Sequence, residues 1–298
     1  MNKFQQPGLR FVVRQNHAFY TADDQRAWRL FLENHLRIID RYPERFDQAY
    51  LDGLHGLEFS NKEIPTELHL NQHLAPTGWC AVFVNGYLPP KVYMDMLLSR
   101  SFPVARNLRS LKHLDLSPTP DFLHDVFGHL PMLFCKTYLN YLLSVCALMR
   151  KAQSDSRDSE IYLMNRQVSR LKSRGETESK RVAILESRLS QLQRESESSP
   201  SKSALLERVF LWSIEFGLFG TPESHQIYGA GLLSSPLEVK AVCSKSTKIF
   251  NYTSDVIRHR ICFTGAQEQF FVASGYQQLH EVLDQIAADN GLSSMENV

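Results

Sequence analysis

No run in this 298-residue sequence approaches the roughly 20 consecutive apolar residues that a membrane span needs. Its opening stretch, MNKFQQPGLRFVV, holds no apolar segment long enough for a signal peptide. A membrane partner is therefore not expected. Charge of one sign is also missing: 33 basic residues against 32 acidic ones leave a net charge of +1. With no basic patch, the electrostatic footprint of a nucleic-acid or anionic-membrane binder is absent. Cysteine is sparse. The five present (Cys80, Cys135, Cys146, Cys243 and Cys262) are scattered, odd in number and never in a CxxC pair. That argues against a disulfide framework and a thiolate zinc site, and for a reducing cytoplasm. What the chain does have is 43% hydrophobic content, enough for one well-buried core.

Helical periodicity dominates the pattern. Thr21 with Asp24 forms a capping arrangement before QRAWRLFLENHLRIIDRY, where Trp28, Phe31, Leu32, His35 and Leu36 recur at helical spacing. PERFDQAYLDGL and PTELHLNQHL read as further short helices. WCAVFVNG, residues 79–86, is short, β-branched and aromatic, and reads as a strand turning at Gly86 into a proline-opened helix, YLPPKVYMDMLLSR. Further helices are expected over PDFLHDVFGH, KTYLNYLLSVCALMRK, KSALLERVFLWSIEFGLF and YQQLHEVLDQIAA. The fold class is mainly α with small β elements.

Residues 151–203 stand apart as charged and serine-rich. Ile161, Met164, Val168 and Leu171, then Val182, Leu185, Leu189 and Leu192, occupy heptad a and d positions, with Gly175 and Glu178 in the slots between. One continuous helix of about 40 residues would extend roughly 60 Å, beyond the roughly 30 Å that the loop ESESSPSKS could span to return the chain. A hairpin turning at SRGETES resolves this, since Gly175 tolerates a turn. The expectation is a single domain formed by 1–150 and 204–298, with 151–203 inserted as a coiled-coil-like helical hairpin. That arm is either a solvated structural element or a surface for a partner or for self-association.

The stretch PDFLHDVFGHLP carries His124 and His129 around Asp125 and Gly128. Five residues turn an α-helix by about 140° beyond a full turn, so the two rings do not share a face as an i, i+4 zinc-protease pair does. They converge on one ion only if the second lies where the helix ends or bends, and Gly128 and Pro131 offer that opportunity. Two histidines near an aspartate are otherwise more often packed or surface groups. Glu215 is the candidate third ligand, a carboxylate set among Phe210, Trp212, Ile214 and Phe216. Such a group is costly to bury unless paired, for example with Arg208, or bound to a metal. Two histidines and a carboxylate suit non-haem Fe(II), and zinc accepts the same donors.

SPTPDFLHDVFGHLPML, IEFGL and YGAGLLSS, with TGW, NGYLPP, SFPVARNLR and FFVASGYQQL in order along the chain, resemble the pterin-dependent aromatic amino acid hydroxylases of the bacterial phenylalanine-hydroxylating type. The resemblance covers most of the chain outside 151–203. It implies that family's mainly α catalytic-domain fold, with the helical hairpin inserted. It implies Fe(2+) held by His124, His129 and Glu215, with tetrahydropterin and O2 as cosubstrates. Asp125 matches an acidic residue near pterin and water. Arg109 matches the receptor of the substrate carboxylate, and Asp121 the residue that holds it. Ser234 matches a serine lining the amino acid pocket near the first histidine. Leu88 and Tyr93 match pterin contacts. Phe210 is grouped with these pterin-side positions and lacks the hydroxyl that many members carry near the iron.

The chain also departs from the family pattern. Ser117-Pro118-Thr119-Pro120 lacks the usual glutamate, and Leu211 replaces a tryptophan that floors the substrate pocket. Its 151–203 segment doubles the family's usual interval between His129 and Glu215. The expected activity is ring hydroxylation of a small-molecule aromatic amino acid, L-phenylalanine to L-tyrosine first, with the same chemistry on tryptophan or tyrosine as the alternative. From other classes, a zinc hydrolase using Asp125 as base and a non-catalytic metal-binding scaffold remain open. The absence of an N-terminal regulatory block of around 100 residues and of a C-terminal tetramerising helix suggests a monomeric core.

Overall fold

The structure, a computed structural model, describes residues 8–86, 88–117, 119–172, 179–262 and 265–292. Helix α1 (Ala22–Arg41) leads into α2 (Gln48–Gly56) and α3 (Glu67–Leu74), followed by strand β1 (Cys80–Val84), α4 (Pro90–Leu98) and strand β2 (Ser101–Ala105). After a π turn at His124–His129 come α5 (Lys136–Lys151), α6 (Ser156–Lys172), α7 (Lys180–Ser198) and α8 (Lys202–Phe210). A second π turn, Leu211–Glu215, precedes β3 (Gly217–Gly220), β4 (His225–Ile227), α9 (Ala230–Leu233), α10 (Pro236–Cys243), β5 (Lys248–Asn251), β6 (Gln269–Ala273) and α11 (Tyr276–Asp289).

Local chemistry explains most of these boundaries. At the start of α1 the Asp24 N–H donates to Thr21 Oγ1 at 3.2 Å and the Thr21 N–H donates to Asp24 Oδ2 at 2.8 Å, the reciprocal capping the sequence suggests. The helix then buries Trp28, Phe31, Leu32, His35 and Ile38 on one face. The expected helix over PERFDQAYLDGL divides instead. Pro43–Arg45 makes a 3-10 turn, Phe46 bridges to Ile227, and Asp47 starts α2 afresh by accepting from the Ala49 N–H at 2.9 Å.

Non-local pairing overrides helical periodicity near residue 217. The helix expected through KSALLERVFLWSIEFGLF runs as α-helix to Phe210 and as a π turn to Glu215, then ends. Gly217, Leu218 and Phe219 pair in parallel with Phe271, Val272 and Ala273. The resulting four-stranded sheet has the order β4-β3-β6-β5, with β3 and β4 antiparallel. Strands β1 and β2 form a separate parallel pair, Cys80 against Ser101 through Val84 against Ala105.

The core runs continuously from Trp28 and Phe31 through Phe127, Tyr141 and Trp212 to Leu279 and Ile286. A second, small apolar cluster of Val84, Leu88 and Met96 sits apart from it, with Phe11, Val82, Val92 and Tyr93 packed around. Among the described residues no single helix is long and apolar enough to cross a membrane.

Helices α6 and α7 pack along each other. Val168, Leu171, Val182 and Leu192 are buried, whereas Leu163 and Ile184 face solvent. Residues 173–178, which include the expected turn around Gly175 and the Glu178 slot, lie outside the described residues. At the base of the pair the Ser203 N–H donates to the Gln153 carbonyl at 3.2 Å. Arg157 donates to the Glu195 and Ser199 carbonyls, and Arg260 pairs with Glu197 at 2.7 Å.

Candidate active site

The question posed by His124 and His129 is answered by helix type. The segment His124–His129 is a π turn, closed by the Leu130 N–H donating to the Asp125 carbonyl. With i→i+5 bonding, residues five apart stand one above the other. The expectation that a helix end or bend would be needed is thus corrected: a widened turn inside the helical run brings the rings together, and Pro131 acts only afterwards, opening the 3-10 turn Leu130–Phe134. Gly128 has a different role. A Cβ there would stand 2.5 Å from the Ala230 carbonyl oxygen, so glycine lets α9 close on the turn.

The two Nε2 atoms lie 3.2 Å apart. Glu215, at the end of the second π turn, places Oε2 3.4 Å from His124 Nε2 and Oε1 3.1 Å from His129 Nε2. Arg208, the alternative partner for this carboxylate, turns away and donates to the Ile257 carbonyl. The Ser234 hydroxyl donates to the Gly231 carbonyl at 3.1 Å, so its oxygen accepts from His124 Nδ1–H at 2.9 Å. That fixes the tautomer with the Nε2 lone pair directed at His129 and Glu215, the arrangement in which a metal-bound histidine is held.

The three side chains are strongly coupled to one another. Burial pushes the Glu215 carboxyl up, but His129 and His124 outweigh it and hold the group down at about 2. Burial drives His124 down to about 4, whereas at His129 the adjacent Glu215 carboxylate overcomes burial and raises it. Among the described residues this is the one group of three or more histidine, cysteine or acidic side chains whose ligand atoms lie within 4.8 Å of one another. Two imidazole nitrogens and one carboxylate form a donor set that fits ferrous iron, with the His129 proton displaced on binding.

Asp121 ties this centre to a buried cation. It accepts from Arg109 Nε at 3.0 Å, Arg109 Nη2 at 2.7 Å and the Arg109 backbone N–H at 2.6 Å, and from the His124 backbone N–H at 3.0 Å. Arg109 Nη1 donates to the Ser234 carbonyl at 2.8 Å, and the Phe31 ring lies 5.4 Å beneath the guanidinium. A guanidinium has five N–H groups. One on each terminal nitrogen is therefore left, a fork suited to a carboxylate.

Asp125 is buried beside the triad and accepts from the Ala105 N–H at 2.7 Å, joining the end of β2 to the π turn. Burial pushes its carboxyl up to about 7, against the pull of His129 and of that N–H. Tyr93 lies edge-on to Phe210, ring centres 6.3 Å apart, and edge-on to Phe102, whose ring is 5.0 Å from His129. Leu88 is buried in the small cluster beside Tyr93. Leu211 is half-buried and opens the second π turn, its carbonyl accepting from the Phe216 N–H at 2.9 Å. The candidate positions other than Leu88 fall on the two π turns or on residues bonded or packed to them, and Leu88 joins them through Tyr93.

Sequence reasoning did not reach Phe102, Phe31 and the Ala105 N–H. Phe31 belongs to the apolar stripe of α1 and reads as core. A backbone donor such as that of Ala105 carries no signal in residue identity.

The chain matches the biopterin-dependent aromatic amino acid hydroxylase family over residues 13–193 and 194–292. It is 29% identical over 275 residues to the phenylalanine-4-hydroxylase of Chromobacterium violaceum, covering 91% of this chain and 76% of that protein. To the phenylalanine-4-hydroxylase of Ralstonia nicotianae it is 27% identical over 274 residues, 91% of this chain and 72% of the relative. The crystal structure of the C. violaceum enzyme with bound iron(III) and 7,8-dihydrobiopterin superposes with a TM-score of 0.70 at 26% identity, covering 95% of this chain and 85% of the other. The chain therefore belongs to the biopterin-dependent aromatic amino acid hydroxylases and is an aromatic amino acid monooxygenase.

Proposed function

We propose that this protein hydroxylates L-phenylalanine to L-tyrosine, with Fe(2+) held by His124, His129 and Glu215 and a tetrahydropterin as cosubstrate. The observation that carries the reading is the buried meeting of His124 Nε2, His129 Nε2 and Glu215, with His124 oriented through Ser234. When bound, iron and reduced pterin supply the activation of O2, and the protein supplies position. Arg109 takes the substrate carboxylate on its two remaining N–H groups, held by Asp121 and the Ser234 carbonyl. That anchors the amino acid end and leaves the ring directed toward the triad and Leu211. Tyr93, Leu88 and Phe210 form the pterin side, and Asp125 is the acidic group beside pterin and water.

We also read 151–203 as an arm with no chemistry of its own, since the backbones at Gln153 and Ser203 meet at its base. The deciding experiment loads the purified protein with Fe(2+) anaerobically, adds tetrahydrobiopterin, then admits O2 in the presence of phenylalanine, tyrosine or tryptophan. Tyrosine formed from phenylalanine, with pterin oxidised in proportion, is the expected result. Zinc as the retained metal with no hydroxylated product would favour a hydrolase, and neither metal nor product a scaffold.

A further inference from the structure

The small apolar cluster lies on the side of the molecule that carries Leu88 and Tyr93. Its three buried members come from β1 (Val84), the loop that follows (Leu88) and α4 (Met96). Two elements close in sequence make up most of it, and few apolar side chains hold it together. A third element completes it. The stretch from Gly8 to Val13 crosses the free edge of β1, where Val12 bridges Val84 in antiparallel fashion and the Val13 N–H donates to the Phe83 carbonyl at 2.9 Å. This strap turns through the Phe11 N–H donating to the Gly8 carbonyl at 2.8 Å, and that turn packs Phe11 against the cluster.

Gly8 marks how closely the strap approaches α4. It adopts φ +88, and a Cβ there would stand 2.8 Å from Met96 Sδ and 3.2 Å from Val92 Cγ1. Both the backbone conformation and the space call for glycine. Met96 and Val92 lie on α4 with Tyr93, so the strap presses on the helix that presents this ring and on the loop that presents Leu88.

We infer that Phe11 is a positioning residue for the pterin side of the site: the strap 8–13 holds Leu88 and Tyr93 in the arrangement that accepts the pterin. The inference rests on the reading that those two residues contact pterin. A loop held by so small a cluster opens when one large side chain is lost. Apparent affinity then falls in proportion to the fraction still arranged for binding. Met94 and Leu97 anchor α4 in the main core and Tyr93 touches both clusters, so the dependence falls on the Leu88 loop and on the face of α4 that carries Val92, Tyr93 and Met96. The iron ligands and the Arg109–Asp121 pair belong to other elements and do not share it.

The test uses the whole iron-loaded protein and 7,8-dihydrobiopterin as a probe that does not turn over, titrated by calorimetry. Phe11→Ala is expected to weaken the probe about tenfold, the effect of leaving roughly one loop in ten correctly arranged. Phe11→Leu should recover most of the loss, and iron content and phenylalanine affinity should stay at wild-type values. Gly8→Ala, which displaces the strap without removing core atoms, should act in the same direction and serves if Phe11→Ala fails to fold. Tyr93→Ala separates the two readings. If Tyr93→Ala loses the probe while Phe11→Ala and Gly8→Ala bind it as wild type does, the strap has no positioning role. If all three bind it normally, the strap inference falls together with the assignment of Tyr93. Equal losses of pterin, iron and phenylalanine in Phe11→Ala would show general destabilisation and overturn the inference as well.

Discussion

Ser234 holds Arg109 and His124 at once. Its carbonyl accepts from Arg109 Nη1 at 2.8 Å, and its hydroxyl oxygen accepts from His124 Nδ1–H at 2.9 Å. One residue at the end of α9 thus orients both the His124 ring, the proposed metal ligand, and the Arg109 guanidinium, the proposed substrate clamp. Ser234→Ala removes only the hydroxyl. His124 is then free to rotate or to carry its proton on Nε2, and iron affinity should fall about 10- to 100-fold, the usual cost of losing such a partner. Competition against a chelator measures it directly. The carbonyl link survives the substitution, so phenylalanine affinity in protein saturated with iron should change far less. Unaltered iron affinity would mean that the hydroxyl does not set the tautomer.

The contrast between these two bonds shows what the sequence makes legible. Ser234, His124 and Arg109 could each be named from motif position, and so could Glu215 from its apolar surroundings. The Ser234 carbonyl and the Ala105 N–H could not, because main-chain groups look alike at every position. The capping of α1 by Thr21 and Asp24 was readable for the opposite reason, being a contact across three residues. Strands β3, β5 and β6 are four or five residues long and pair with segments distant in sequence. Their periodicity could not be told from the end of a helix. Helix type was equally hidden: nothing in HDVFGH distinguishes a π turn from an α turn until α9 packs on Gly128.

Arg109 and Asp121 make a buried, forked pair, and on the proposed reading the remaining N–H groups of Arg109 take the amino acid carboxylate. Arg109→Lys keeps the charge and loses the fork. The Michaelis constant for phenylalanine should rise about 10- to 100-fold, matching the roughly 1.5–3 kcal/mol of a charged hydrogen bond. Phenethylamine, which lacks the carboxylate, should bind weakly to wild type and be nearly indifferent to the change. Equal sensitivity of both compounds would remove Arg109 from carboxylate binding.

The resemblance sets Leu211 at a position where the family carries a tryptophan under the substrate ring. On that reading a leucine leaves space on one side of the ring, and shape changes of this size discriminate by only about 1–3 kcal/mol. Tryptophan or tyrosine should therefore be hydroxylated beside phenylalanine, with kcat/KM ratios within about two hundredfold. Leu211→Trp should narrow the range toward phenylalanine. Strict exclusion of both other amino acids by wild type would refute the argument.

His35 links acid stability to the site. Its ring is 1% exposed, bonded to the Tyr50 hydroxyl at 2.6 Å, and packed on Phe31, Phe46 and on Phe127 of the first π turn. Burial lowers its pKa from 6.5 to about 4. The sign follows: the unfolded state takes up the proton first, so stability is full above pH 6.5 and is lost as pH falls toward 4. The loss from this one group reaches about 3 kcal/mol at most. Tyr50 is the titratable side chain in contact with the ring, and it stays neutral throughout this window because burial raises it. His35→Leu should lower stability at pH 7.5 yet flatten its decline to pH 5, measured by urea denaturation. Parallel declines in both proteins would show that His35 does not contribute.

The arm can be removed at a defined place. The Ser203 N–H reaches the Gln153 carbonyl, Ala152 is buried against the body, and Ser201 caps α8 by accepting from the Ala204 N–H at 3.0 Å. A deletion should therefore keep residues up to Gln153 and from Ser201 onward, joined by two or three glycines. What is lost toward the body includes the bond that the Ser201 hydroxyl donates to Asp158 at 2.6 Å and the Arg260–Glu197 pair, whose arginine is 73% exposed. Such surface pairs contribute no more than about 1 kcal/mol. Iron content, activity and thermal midpoint should stay close to wild type, because the buried residues of α6 and α7 face each other. Sedimentation of both proteins reads the arm's other role: a larger species in wild type that vanishes on deletion would make it a self-association element. Loss of iron in the shortened protein, with its circular dichroism unchanged outside the missing helices, would instead show that the arm braces the second π turn through α8.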